Sequence, residues 1–296
     1  MNDNPNPNPN HNPKPSPTTG ATTGTLAVPG ATLYYETRGN GPLLLLISGG
    51  AGDAGMYAGM FPALAAEYTV VTYDPRALSR SPLDGPLADQ QVRVWSDDAR
   101  RLLDHLAPGE EEVSVMGCSS GAIVALDLLA RHPERLRRAV VHEPPLVELL
   151  PDPASYRTLF AEVRDTYRAE GLGPAMARFS EGIGEPVTAE EAEQSTELPP
   201  EVQEMAPRMH ANFPVFLEHM LCPFSSSVPD LEALRPVAHK LVPAAGRLSR
   251  TQEPFYGPAA RLAELFGIPL VEFPGGHLGG VDRAKEFGEQ LLKTLA

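Results

Sequence analysis

The sequence predicts an α/β protein built on a mostly parallel central sheet with helices on both faces, and three observations carry that expectation. Short apolar runs alternate with longer amphipathic stretches along most of the 296 residues, as strand–helix repeats require. The runs give way to Gly, Asp or Ser, which turn a chain out of a strand. With 42% hydrophobic and 21% charged residues, the chain has enough apolar material for one large core.

The elements follow in order. Residues 1–20 carry six Asn and six Pro and almost nothing to bury, so a disordered leader leaning to polyproline II is expected. Residues 31–35 read as an early strand, Leu43–Ile47 as a buried one, and 68–73 and 113–116 as the next two. Between them, 56–67 and 96–106 have helical spacing, and a helix over 119–130 starts directly after a strand. Residues 138–142 form the next strand, which ends at Glu143-Pro144-Pro145, where the alternation stops. From 144 to 236 no strand is legible. Helical pieces at 155–169 and 201–221, broken by Pro and Gly, read as an inserted helical cap. The alternation resumes with a strand at 240–245, a helix at 259–266, a strand at 270–273 and a closing helix at 283–295. The expected organisation is therefore a leader (1–20), a core (21–143 and 237–296) and a cap (144–236).

Charge and cysteine content narrow the function classes. With 24 Lys and Arg against 38 Asp and Glu, the net charge of −14 repels phosphate backbones and anionic headgroups, which argues against nucleic-acid and membrane-surface roles. Two cysteines, Cys118 and Cys222, fall short of a disulfide framework or a four-ligand zinc site. No apolar stretch approaches the roughly 18 residues of a membrane span, and the first residues lack the basic and apolar regions of a signal peptide. A cytoplasmic chain acting on a small molecule, without cofactor or metal, is expected; nothing in the sequence sets its oligomeric state.

The sharpest chemical signal is Val113-Ser114-Val115-Met116-Gly117-Cys118-Ser119-Ser120-Gly121-Ala122: a strand, then G-x-S-x-G, then a helix. A serine on a tight, strained turn needs glycine on both sides to avoid clashes, and the turn lifts its hydroxyl above the sheet edge. Ser119 is thus placed as a nucleophile. The helix that starts there aims free N–H groups at the same spot, so the N–H of Ser120 is available to a developing oxyanion. Cys118, on the buried side of the turn, reads as packing.

On these residues the chain, from about residue 25 to its C-terminus, resembles the serine-nucleophile α/β-hydrolase family. Leu43–Ile47 followed by Ser48-Gly49-Gly50 matches the family's oxyanion loop, with Ser48 where His is usual, and the resemblance implies the N–H of Gly50 as the second oxyanion donor. Tyr73-Asp74-Pro75-Arg76 resembles a stretch that ties a loop beneath the site, so Asp74 and Arg76 are assigned no chemistry. His277, in the Gly-rich loop Pro274-Gly275-Gly276-His277, suits a general base by residue type and chain order. His105 and His132 lie in helical patterns and read as solvated or capping. The family's usual acid position is held by Ser249, which cannot stabilise an imidazolium as a carboxylate does. Some hydrolases of this fold carry the acid at the end of the sixth strand, where this chain has Glu143; a salt-bridge or cap-hinge role for Glu143 stays open.

The cap segment holds 16 acidic residues against six arginines and no lysine, −10 of the net −14, with solvated runs such as Glu190-Glu191-Ala192-Glu193. Its apolar stripe and the histidines beside it nominate Met209, His210, Phe213, Phe216, His219 and Met220 for contact with an apolar substrate, against a reading in which the stripe only packs cap on core. The resemblance implies a serine hydrolase for a carboxylic ester, lactone or thioester. It leaves as alternatives a non-hydrolytic or carbon–carbon-cleaving enzyme of the same fold, or a hydrolase-like binding protein.

Overall fold

A computed structural model of the chain describes residues 20–109, 112–184 and 200–296, the side chains of 200–202 excepted. The expected leader, but for Gly20, and the acidic run at 190–193 lie outside the described residues.

Eight strands form one sheet: β1 (Thr22–Val28), β2 (Ala31–Arg38), β3 (Leu43–Ile47), β4 (Thr69–Tyr73), β5 (Val113–Cys118), β6 (Leu136–His142), β7 (Leu241–Gly246) and β8 (Val271–Phe273). Their order is β1-β2-β4-β3-β5-β6-β7-β8, antiparallel at the first two pairings and parallel from β4 onward. The continuous apolar runs arise because both faces are covered. Leu43, Leu45, Ile47, Val113 and Val115 pack on one face with helices α1 (Val92–Leu106) and α2 (Ser120–Arg131). Leu44, Leu46, Met116 and Val140 pack on the other with Phe287, Leu291 and Leu295 of the closing helix.

Between β6 and β7 the described chain is helical: α3 (Pro153–Glu170), α4 (Leu172–Gly182), and α5 (Pro200–Val215), which runs through a wide π turn (Phe216–Met220) into α6 (Leu221–Ser225). Asp152 starts α3 by accepting the Ser155 N–H at 3.2 Å, with Pro153 fixed in the first turn. This insert has a small core of its own, centred on Phe160, Val163, Leu217 and Leu221, and Phe255 joins it from the main domain. After β7, α7 (Glu253–Phe266) and α8 (Ala284–Leu295) complete the layers.

The expected α/β class, mostly parallel sheet and helical insert agree with the structure. The differences have physical causes. β1 was not anticipated: three threonines and a glycine, mostly exposed at the sheet edge, give it no apolar signature. The helix expected over 56–67 shrinks to the turns Ala58–Met60 and Phe61–Leu64. α7 begins six residues before its expected start, because Pro254 and Pro258 masked its first turns, and α4 was hidden by Gly173 and Pro174.

Candidate active site

The chain leaves β3 for β4 on one side and later returns to β5 on the other, so the C-terminal ends of β3 and β5 sit side by side, Ile47 paired with Gly117. A sheet opens a ligand crevice at such a reversal. Ser119 stands there between β5 and α2 with φ 56° and ψ −126°, a conformation L-residues rarely adopt. Gly117 and Gly121 permit it: a Cβ on Gly121 would collide with the carbonyls of Ile47 and Ser48, and one on Gly117 with the backbone of Gly121. The turn is braced by the Ser119 N–H on the His142 carbonyl (2.9 Å), and the Ser119 carbonyl accepts from Ala122 (2.9 Å) and Ile123 (3.2 Å).

Glu143, directly after β6, is also held at positive φ (49°). Its N–H donates to the Ala244 carbonyl at 2.9 Å, which aims the side chain across β7. The buried carboxylate accepts the Gly246 N–H on Oε1 (2.7 Å) and lies 2.7 Å from His277 Nδ1 through Oε2. Burial pushes this carboxyl up, yet the hydrogen bond and charge interaction with His277, with help from His142 and the Gly246 N–H, outweigh it and hold Glu143 below its ordinary value. His277 sits in the turn after β8, where Gly275 takes φ 82°. Its ring stacks on Phe255, centroids 3.7 Å apart and planes 14° from parallel, and its carbonyl accepts the Cys118 thiol at 3.6 Å. Burial pushes the Cys118 thiol well up, which suits a packing residue.

Ser249 lies in the turn after β7, fully buried, near Gly276, and its Oγ has no hydrogen-bond partner among the described residues. The carboxylate next to His277 comes instead from the neighbouring strand. Asp74 and Arg76 are structural: Arg76 forms a bidentate pair with Asp98 (2.6 and 2.7 Å), and Asp74 holds Arg80 and the Ala54 N–H.

The loop after β3 is a tight turn in which Gly52 N–H donates to the Gly49 carbonyl (3.0 Å) and Ser48 Oγ to the Gly52 carbonyl (3.1 Å). Gly49 must lack a side chain, since a Cβ there would stand 2.6 Å from that of Ser119. The Gly50 N–H, expected to face an oxyanion, donates to Ser120 Oγ at 2.9 Å.

Above Ser119 and Ser120 lies a narrow, partly open apolar cavity. Phe160 and Phe179 line it from α3 and α4, Phe216 and Met220 from the π turn, Phe224 from α6 and Phe255 from α7. Ser225 Oγ, also at this wall, is committed to the Leu221 carbonyl at 2.7 Å. Of the six cap residues nominated from sequence, Phe216 and Met220 line this cavity. Met209 packs on the core beneath, His210 and Phe213 border a separate outer cleft with Tyr167 and Glu218, and His219 Nδ1 pairs with Asp89 Oδ1 at 2.9 Å. Met209, His210 and Phe213 precede the π turn on other faces of α5, and the extra residue of that turn rotates His219 away from the position an uninterrupted helical spacing gives it. Phe160, Phe179, Phe224 and Phe255 were not nominated; distant segments converge there without a local pattern. Among the described residues, no group of three or more His, Cys, Asp or Glu is placed to hold a metal ion, and no helix is long and apolar enough to cross a membrane.

A family model for the alpha/beta hydrolase fold matches residues 42–183. An uncharacterized hydrolase of Bacillus subtilis (strain 168) is 37% identical over 278 residues, covering 92% of this chain and 95% of that protein. The zearalenone hydrolase of Bionectria ochroleuca is 29% identical over 282 residues, covering 92% and 97%. Among solved structures, the enol-lactonase from Burkholderia xenovorans LB400 shares the fold with a TM-score of 0.65 at 22% identity, over 92% of this chain and 99% of that one.

Proposed function

The chain belongs to the alpha/beta hydrolase fold family, and on that premise we propose that it is a serine hydrolase cleaving a carboxylic ester or lactone, or the related thioester, in an apolar small molecule. The observation that carries the reading is the 2.7 Å pair of His277 with the buried Glu143 carboxylate, beside a serine held in the strained elbow conformation. Ser119 Oγ attacks the carbonyl carbon while His277 takes its proton; Glu143 holds the ring through Nδ1–H and offsets the imidazolium charge. The carbonyl oxygen, now anionic, is met by the N–H of Ser120 and by that of Gly50, which exchanges the Ser120 hydroxyl for it. Collapse expels the alcohol, or thiol, with the proton from His277 and leaves an acyl group on Ser119. Water, deprotonated by His277, then releases the acid and restores the serine.

The wall of phenylalanines, with Ser225 already hydrogen-bonded, supports a substrate whose buried body is apolar and whose polar anchor is the reacting carbonyl. A hydrolase-like binding protein would be favoured by a histidine without a carboxylate partner; the Glu143 carboxylate against His277 supports the enzyme instead. Steady-state turnover of an aryl ester and a lactone tests the reading. Glu143→Gln keeps the shape but leaves the imidazolium without its counter-charge, and kcat is expected to fall roughly 10³–10⁴-fold while the fold persists. Near-normal kcat would remove Glu143 from the mechanism.

A further inference from the structure

Ser79 also holds a left-handed backbone (φ 48°), a conformation that costs an L-residue and suits glycine. Its hydrogen bonds show what the serine contributes there. Its N–H donates to Asn212 Oδ1 at 2.8 Å, its Oγ donates to Asp53 Oδ2 at 2.9 Å, and the same Oγ accepts from Asn212 Nδ2 at 2.9 Å. Asn212, only 3% exposed, gives its other Nδ2 proton to the Ala51 carbonyl at 2.9 Å. Asp53, fully buried in its side chain, takes the Arg208 guanidinium at 2.5 and 3.3 Å and the Gly55 N–H at 2.9 Å. Arg208 and Asn212 lie one turn apart on α5, so a single face of the cap helix grips the loop 48–55. That loop carries Gly49, pressed against Ser119, and Gly50.

The cavity above Ser119 is narrow and four of its phenylalanines belong to the insert, so a substrate larger than this space is admitted by an outward shift of the insert. α5 runs directly into the π turn that carries Phe216, whose ring lies over Gly50, 3.9 Å from where a Cβ there would stand. Withdrawing Phe216 therefore also draws Arg208 and Asn212 from the loop. We propose that Ser79, Arg208 and Asn212 are positioning residues that fasten the cap to the oxyanion loop, so that the Gly50 donor is held in place only while the cap is seated. Closure over the substrate completes the oxyanion site, which confines strong catalysis to a water-poor, occupied pocket. The oxyanion half of this proposal rests on the serine-hydrolase reading; the fastening does not.

Two variants of the full chain test it, with a p-nitrophenyl alkanoate as substrate and hydrogen exchange as a second readout. Ser79→Gly removes the hydroxyl and also relieves the backbone, so a merely structural serine would leave the thermal midpoint equal or higher and kcat unchanged. The proposal expects that midpoint together with a kcat lowered tenfold or more and a KM within about threefold. Asn212→Ala is expected to match it in kcat. In both, amide exchange over 48–55 rises while β5 and α2 keep wild-type protection. Unchanged exchange over 48–55 overturns the fastening, and a Ser79→Gly kcat within twofold of wild type overturns its role in catalysis. A wild-type protein inert to the aryl ester and the lactone alike would overturn the hydrolase reading and the oxyanion half with it, while exchange still decides the fastening.

Discussion

At the scale of single residues, the candidate site is built from rings and backbone as much as from Ser119, His277 and Glu143. Phe255 lies flat on the His277 ring at 3.7 Å and is 2% exposed, so it restricts the imidazole to the plane that meets Glu143 and, in the proposed mechanism, offers a π face to the imidazolium. Phe255→Leu keeps an apolar side chain and loses the face. We expect kcat about tenfold lower, equivalent to about 1.4 kcal/mol, whereas Phe224→Leu, in the same wall but set edge-on to Trp95 instead, should act mainly on KM. Equal effects of the two on kcat would contradict a special role for Phe255. Ser119 and its flanking glycines were legible because the turn geometry dictates residue types at fixed spacing. Glu143 was legible only as a carboxylate at a strand end, and Phe255 was not legible, since no local pattern records which ring packs on the histidine.

At the scale of elements, the strands covered on both faces read directly as apolar runs, and Leu43–Ile47 matches its expected bounds. β1, exposed at the edge, and the π turn, which breaks the helical period, did not. β6 carries one further consequence. His142, its last residue, is enclosed between Phe273 and Phe287, with Nδ1 3.4 Å from Cys118 Sγ and Nε2 without a partner among the described residues. Burial lowers its pKa from 6.5 to about 4. Between those values the unfolded chain binds a proton that the folded one refuses, so stability falls as pH drops through that window, by roughly 3 kcal/mol in all. Glu143, held below its ordinary 4.5, acts in the same direction at lower pH: its contribution is intact above 4.5 and lost as acid protonates it. Urea unfolding at pH 7 and pH 4.5 should show this loss in the wild type and a shallower one in His142→Asn. Equal slopes would remove His142 as the cause.

At the scale of the whole molecule, the net charge of −14 sorts unevenly, with −10 between residues 144 and 236. There the acids pair with arginines on the surface, as Arg178 does with Glu162 and Arg157 with Glu148, contacts worth little to stability in water. The insert is attached to the main domain by Phe255, which joins its own apolar core, by Val215, Met220 and Phe224, which pack in the core of the sheet, and by the hydrogen bonds of Arg208 and Asn212 to the loop after β3. The insert was legible as an interruption of the α/β alternation; its seating was not, because these hydrogen bonds join residues more than 130 positions apart. The central claim is that Ser119 is a nucleophile driven by His277. Treatment of the intact chain with a fluorophosphonate, followed by peptide mass spectrometry, tests it most directly. One adduct per chain is predicted, on Ser119, absent from Ser119→Ala and formed far more slowly in His277→Ala. No adduct on the wild type, or an adduct that persists in Ser119→Ala, would contradict it.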